Sequence, residues 1–174
     1  MNITKQFTFD SAHQLVGHNG KCANLHGHTY KLEIELCGVA ETEEGSSQGM
    51  VVDFSDVKAV AKPLISKMDH AALLQGNEPI LNAIDTKRII FGFRTTAENM
   101  AKFIFIALAT KLPVSKIRLW ETPTGCAEYT HRDYTALLND LSLKDGTSLY
   151  DDVWYIADNT GENILHGIEG LLHD

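Results

Sequence analysis

The stretch Cys22-Ala23-Asn24-Leu25-His26-Gly27-His28-Thr29-Tyr30-Lys31-Leu32-Glu33-Ile34-Glu35-Leu36 joins a cluster of ligand-type side chains to a strand. From Tyr30 onward the residues alternate, with Tyr30, Leu32, Ile34 and Leu36 on one side and Lys31, Glu33 and Glu35 on the other, the pattern of a half-buried β-strand. Carrying the same period of two backwards puts His28 and His26 on the face of Tyr30. A third histidine on a paired strand would then close a facial set of three imidazole nitrogens. That is how a catalytic zinc is held, with its fourth position open to water or substrate. His13, nine residues before Cys22, is placed to do this, because Ile3 to Asp10 alternates as well, with Ile3, Phe7 and Phe9 on one side. The expected ligand set is therefore His13, His26 and His28, holding one zinc per subunit. Sets in which Cys22 or His18 replaces one of them remain open on spacing alone. An all-histidine set favours catalysis, since structural zinc sites use four protein ligands and more cysteine.

Outward from this core, Met50 to Phe54 reads as extended. Ser55 reads as the N-cap of a helix carrying Val57, Val60, Ala61, Leu64, Ile65 and Met68, which Pro63 should kink or interrupt. Leu73 to Gly92 reads as an irregular insertion. Thr95-Thr96-Ala97-Glu98 has the form of a capping box, followed by a stripe of Met100, Phe103, Ile104, Ala107 and Leu108. Lys116 to Glu121 and Ala127 to Tyr134 complete the strands. The order strand, strand, helix, helix, strand, strand predicts an α+β fold: a four-stranded antiparallel sheet with two helices on one face. Residues 1–134 form that domain. Residues 135–174 are an acidic C-terminal addition that ends in an amphipathic helix (Ile164, Leu165, Ile168, Leu171, Leu172) suited to covering the domain or an interface.

Composition narrows the function. A net charge of −8 argues against a nucleic-acid partner, which needs a basic surface. No signal-peptide core and no run of about 18 apolar residues is present, so neither export nor a membrane partner is expected. Three cysteines (Cys22, Cys37, Cys126) at unrelated spacings fit a reducing cytoplasm better than a disulfide framework.

Further residues can carry chemistry. Cys22 follows Gly20-Lys21 in a loop, where Lys21 and a nearby metal would favour a thiolate base or nucleophile. Asp69-His70, at the end of the first helix, is a carboxylate–imidazole pair suited to proton transfer. Glu121 ends a strand beside Trp120 and could accept two N–H bonds from a heterocycle. A capping role accounts for Glu98, and Asp53 reads as structural.

Taken in order, Phe9-Asp10-Ser11-Ala12-His13, Cys22-x3-His26-Gly27-His28, Val52-Asp53-Phe54, Met68-Asp69-His70, Thr96-Ala97-Glu98-Asn99 and Trp120-Glu121-Thr122 resemble the 6-pyruvoyltetrahydropterin synthase / 6-carboxytetrahydropterin synthase family over roughly residues 1–130. The Cys-x3-His spacing is closer to the bacterial 6-carboxytetrahydropterin synthases of the queuosine pathway. The resemblance implies a tunnelling fold whose strands assemble into an oligomeric barrel, a hexamer of two trimers with active sites between subunits. It implies 7,8-dihydroneopterin triphosphate as substrate, with 6-carboxytetrahydropterin, acetaldehyde and triphosphate as products. A pyruvoyl product, action on unphosphorylated dihydroneopterin, and a non-catalytic zinc- or pterin-binding role are the alternatives. The family's zinc ligands fall on His13, His26 and His28, its thiol on Cys22, its proton-transfer pair on Asp69 and His70 of a neighbouring subunit, and its pterin-anchoring carboxylate on Glu121. Lys21, Arg88 and Arg94 are candidates for the triphosphate. The chain departs from the family pattern at Leu74, where an Asn is usual, and at Thr95, where a Pro often stands.

Overall fold

The computed structural model describes residues 1–76 and 79–142; the amphipathic helix expected around 164–172 lies outside them. Two long strands come first, β1 (Asn2–His13) and β2 (His26–Cys37), paired antiparallel from Asn2↔Cys37 to His13↔His26. Helix α1 (Phe54–Met68) follows, then β3 (Ala71–Gln75) and β4 (Arg88–Phe91), helix α2 (Ala97–Ala109), β5 (Val114–Thr122), β6 (Gly125–Thr130) and helix α3 (His131–Ser142). They build one sheet of order β4-β3-β1-β2-β5-β6.

The sheet has six strands rather than four, and it is mixed, since β3 runs parallel to both β1 and β4. A parallel neighbour needs a crossover connection, and α1 lies on the one that brings β3 beside β1. The two added strands escaped the alternation test because Ala71 to Leu74 is buried on both faces and β4 is only four residues long.

Phe9, Tyr30, Leu32, Ile34, Leu36, Ile117 and Leu119 face the helices in one continuous core with Val57, Ala61, Ile65, Met68, Met100, Phe103, Ile104 and Phe105. The expected phase of β1 and β2 therefore holds. The opposite face carries a row set by the register Gln6↔Glu33↔Arg118↔Glu128. Gln6 donates to Glu33 at 3.0 Å, and Arg118 donates to Glu33 at 3.4 Å and to Glu128 at 2.9 Å.

Several boundaries differ from expectation. Residues 50–53 form no strand, with bends at Val51 and Val52 and an extended Asp53, and α1 begins two residues earlier than expected. Its N-cap is Asp53, whose carboxylate accepts from the Ser55 N–H (2.7 Å) and hydroxyl (2.6 Å), which bears out the structural role of Asp53. Pro63 lies inside α1 without ending it, because buried Val57, Ala61, Leu64, Ile65 and Met68 anchor the helix on both sides of it. The cap of α2 is Thr96, which accepts from Asn99 N–H at 3.4 Å, so the box is shifted by one residue and Glu98 plays no part in it. The last strand stops at Thr130. There Thr130 and Asp133 bond reciprocally, side chain to backbone, and start α3, which carries the chain past residue 134 with Tyr134 and Leu137 against the core. No helix among the described residues is long and apolar enough to cross a membrane.

Candidate metal centre and active site

His13, His26 and His28 converge where β1 and β2 end, just beyond the Phe9–Tyr30 stack, with their ligand atoms all within 4.8 Å of one another. Neither Cys22 nor His18 belongs to this group. His18 is exposed and accepts from the Gly20 N–H instead. The alternation of β2 and its register with β1 account for the convergence, since opposed residues of paired strands share a face.

The hydrogen bonds of the rings decide what they can hold. His13 Nδ1 lies 2.8 Å from the Thr95 carbonyl and His26 Nδ1 lies 2.8 Å from the Asn24 carbonyl. A carbonyl only accepts, so each Nδ1 carries the proton and each neutral ring keeps a lone pair on Nε2. Those two Nε2 atoms face each other at 3.1 Å. Two lone pairs at that distance repel unless a proton or a cation lies between them. Zinc–nitrogen bonds of about 2.0–2.1 Å at a tetrahedral angle would set two such nitrogens ~3.4 Å apart. His28 Nε2 is buried with no hydrogen-bond partner. The donor set thus fits a zinc ion, and the two carbonyls act as orienting partners.

Burial holds the His13 imidazole below its ordinary pKa, against the opposing pull of the Thr95 carbonyl and Glu121. Burial likewise lowers His28, with Glu121 opposing. Both shifts favour the neutral, metal-binding ring. Glu121, on β5, brings Oε1 to 3.3 Å from His13 Nε2 and 3.8 Å from His28 Nε2. Burial, together with the nearby Glu121 carboxylate, pushes the Tyr30 phenol pKa upward.

Cys22 sits half-buried in a 3-10 turn (Lys21–Ala23), and its carbonyl accepts from Leu15 N–H at 2.8 Å. Lys21 in the same turn is exposed. Asp69 is the C-cap of α1, and its Oδ1 accepts from Asp10 N–H at 2.9 Å and lies 3.1 Å from His70 Nδ1. The Asp10 N–H bond is the main cause that lowers the Asp69 pKa, with His70 adding to it. His70 is 77 % exposed and adopts φ +57°, a left-handed conformation unusual for a non-glycine residue. Its N–H donates to the Asp10 carbonyl at 2.6 Å, which holds it there. A groove of about 710 Å³ runs past His70, Asp10, Thr29 and His28. Ala12 and Gly27, paired across the strands, leave its floor without large side chains.

The structure brings His13, His26, His28 and Glu121 together in one chain and places Asp69 against His70. Arg88 and Arg94 point elsewhere: Arg88 donates to the Leu81 and Ile84 carbonyls, and Arg94 to those of Leu15 and Val16. Sequence reasoning missed Tyr30 as the partner of Glu121, although its phase placed it on the histidine face. The Thr95 and Asn24 carbonyls left no signal, because any residue supplies one.

The solved structures most like this fold include an uncharacterized protein from Wolinella succinogenes (TM-score 0.62, 18% identity, covering 75% of this chain and 98% of that one). They also include the 6-pyruvoyl tetrahydropterin synthase of Caenorhabditis elegans (TM-score 0.57, 22% identity, 75% and 94%). The six-stranded sheet backed by helices on one face is thus a tunnelling fold, and this protein is of that class with a candidate metal centre at the strand ends. Residues 2–132 match the family described as 6-pyruvoyl tetrahydropterin synthase. The 6-carboxy-5,6,7,8-tetrahydropterin synthase of Haemophilus influenzae is 48% identical over 137 residues, covering 73% of this chain and 96% of its own. That of Aquifex aeolicus is 32% identical over 159 residues, with 73% and 96% covered. The chain belongs to the 6-pyruvoyl tetrahydropterin synthase family, and it is a lyase-type enzyme similar to the 6-carboxytetrahydropterin synthases.

Proposed function

We propose that this protein is a zinc-dependent lyase that converts 7,8-dihydroneopterin triphosphate to 6-carboxy-5,6,7,8-tetrahydropterin, releasing acetaldehyde and triphosphate in the queuosine pathway. The observation that carries the reading is the trio of Nε2 atoms of His13, His26 and His28, two of them locked as acceptors by carbonyls on Nδ1. Its combination with 48% identity to a 6-carboxytetrahydropterin synthase favours this product over the pyruvoyl one.

His13, His26 and His28 would hold the zinc, which when bound would supply Lewis-acid polarisation of the substrate side-chain oxygens. The chain's own groups do the rest. Glu121 accepts the amino and ring N–H groups of the pterin. Cys22, as thiolate, removes the substrate proton. Asp69 holds the His70 ring by its Nδ1, leaving Nε2 to pass a proton to the substrate. The exposure of His70 suits a group that acts in a neighbouring subunit's site, in a hexamer of two trimers. Lys21, exposed on the turn of Cys22, is the proposed partner of the triphosphate. Residues 1–134 constitute the synthase domain, 135–174 an acidic addition to it, and the protein works in the cytoplasm.

The test is product analysis of the zinc-loaded protein with 7,8-dihydroneopterin triphosphate. Carboxytetrahydropterin and one equivalent of acetaldehyde are expected. A pyruvoyl product would move the protein to the other branch, and unchanged substrate across a range of protein concentrations would sink the synthase assignment.

A further inference from the structure

Arg94 occupies a position where a triphosphate ligand was expected, yet its side chain turns inward. Its Nη2 donates to two successive carbonyls, Leu15 at 3.2 Å and Val16 at 3.0 Å, and its Nε is buried without a partner. Those carbonyls belong to the loop that follows His13 and leads to Cys22. The loop is closed at its base by Leu15 N–H to the Cys22 carbonyl (2.8 Å) and by Gln14 Nε2 to the Ala23 carbonyl (2.7 Å). Any displacement of Leu15 is therefore transmitted directly to Cys22.

The other end of Arg94 is equally fixed. Its carbonyl accepts from Thr96 N–H (2.8 Å) and from Asn99 Nδ2 (2.9 Å), so the residue is bound to the first turn of α2. The next residue, Thr95, is buried, and its carbonyl holds His13 Nδ1 while its hydroxyl reaches the Leu73 carbonyl at 3.3 Å. The start of α2 thus holds a metal-type histidine through Thr95 and the thiol-bearing loop through Arg94.

We infer that Arg94 is a positioning residue that sets the location of the Cys22 thiol relative to the histidine cluster, rather than a ligand of the triphosphate. The inference rests on the proposed role of Cys22 in proton transfer. Misplacing a reacting group by about 1 Å costs on the order of 100-fold in rate, while the affinity for substrate, held by other groups, stays nearly constant.

The test compares wild type with Arg94→Met, which keeps the apolar stem without donors, and with Arg94→Lys. Zinc content, kcat, KM and the alkylation rate of Cys22 by iodoacetamide, read by peptide mapping, are measured together. For Arg94→Met, kcat should fall at least about tenfold with KM within about twofold and zinc retained. Cys22 should alkylate at least about threefold faster as its loop is released, with Arg94→Lys intermediate in both. A raised KM with unchanged kcat would make Arg94 a substrate ligand and overturn the inference, and so would an unchanged Cys22 alkylation rate. If Arg94→Met does not fold, Arg94→Lys decides by the same two readouts, with values equal to wild type counting against the tether. The alkylation contrast needs no turnover, so it still decides the role of Arg94 if the synthase reading itself fails.

Discussion

At the residue scale, the roles proposed for Cys22 and His70 can be tested separately. Cys22 lies outside the histidine group, so Cys22→Ala should keep zinc and lose at least about 100-fold in turnover, as expected when a proton-transfer group is removed. Metal analysis beside a product assay checks this, and loss of zinc would instead make Cys22 a ligand. His70 tests strain against function. At φ +57° a Cβ costs about 1 kcal/mol that glycine does not incur, so His70→Gly should be more stable than His70→Ala by roughly that amount. Both should be inactive. Chemical denaturation of the two variants gives the comparison, and equal stabilities would show that Asp10 and Asp69 impose no strain on this residue. The identity of these residues was legible in the sequence because each is a distinct chemical type in a recognisable order. The partners that orient them were not. Thr95 and Asn24 act through their carbonyls, which every residue has, and Tyr30 acts through a contact with Glu121 that forms only when β5 joins β2.

At the element scale, the strands with one face on the core announced themselves by alternation, and the helices by their apolar stripes. Caps were misplaced by a residue or two, since several Thr, Ser and Asp stand side by side at both helix starts and only the fold selects among them. Thr96 is the cap that counts for α2, so Thr96→Ala should lower stability by about 1 kcal/mol while Thr95→Ser should be better tolerated, as shown by denaturant midpoints. The polar row across β1, β2, β5 and β6 predicts a pH dependence. Lys31 and Arg118 hold the largely buried Glu33 carboxyl below its usual range, with hydrogen bonding from Lys31 the largest cause and burial opposing it. A depressed folded-state pKa stabilises above the unfolded value and is lost as pH falls through the folded one. Glu33→Gln should therefore cost about 1–2 kcal/mol near pH 7, and that difference should begin to shrink as pH falls below the ordinary carboxylate range of about 4 and vanish only below the depressed folded-state pKa. A difference that persists into acid would mean that the charge of Glu33 is not what stabilises the row.

At the scale of the whole molecule, the site is assembled from distant parts of the chain: His13 from β1, His26 and His28 from β2, Glu121 from β5 and the Thr95 carbonyl from before α2. Residues 2–132 account for all of these. A chain ended after Ser142 should accordingly keep the melting temperature and zinc stoichiometry of the full-length protein, measured by calorimetry and metal analysis. A marked loss of either would show that the acidic C-terminal segment is part of the domain.

The sequence by itself determined the ligand chemistry and the α+β class, because a period of two is local and places His26, His28 and Tyr30 on one face whatever else surrounds them. Only the tertiary structure decided that the sheet has six strands and is mixed, since β3 is a short run buried on both faces whose partner β1 lies across α1, and β4 is only four residues long. It alone decided which ring nitrogens carry protons and that Arg94 turns toward the loop of Cys22. Those outcomes depend on main-chain carbonyls brought close by packing, and carbonyls are the same at every position of the chain.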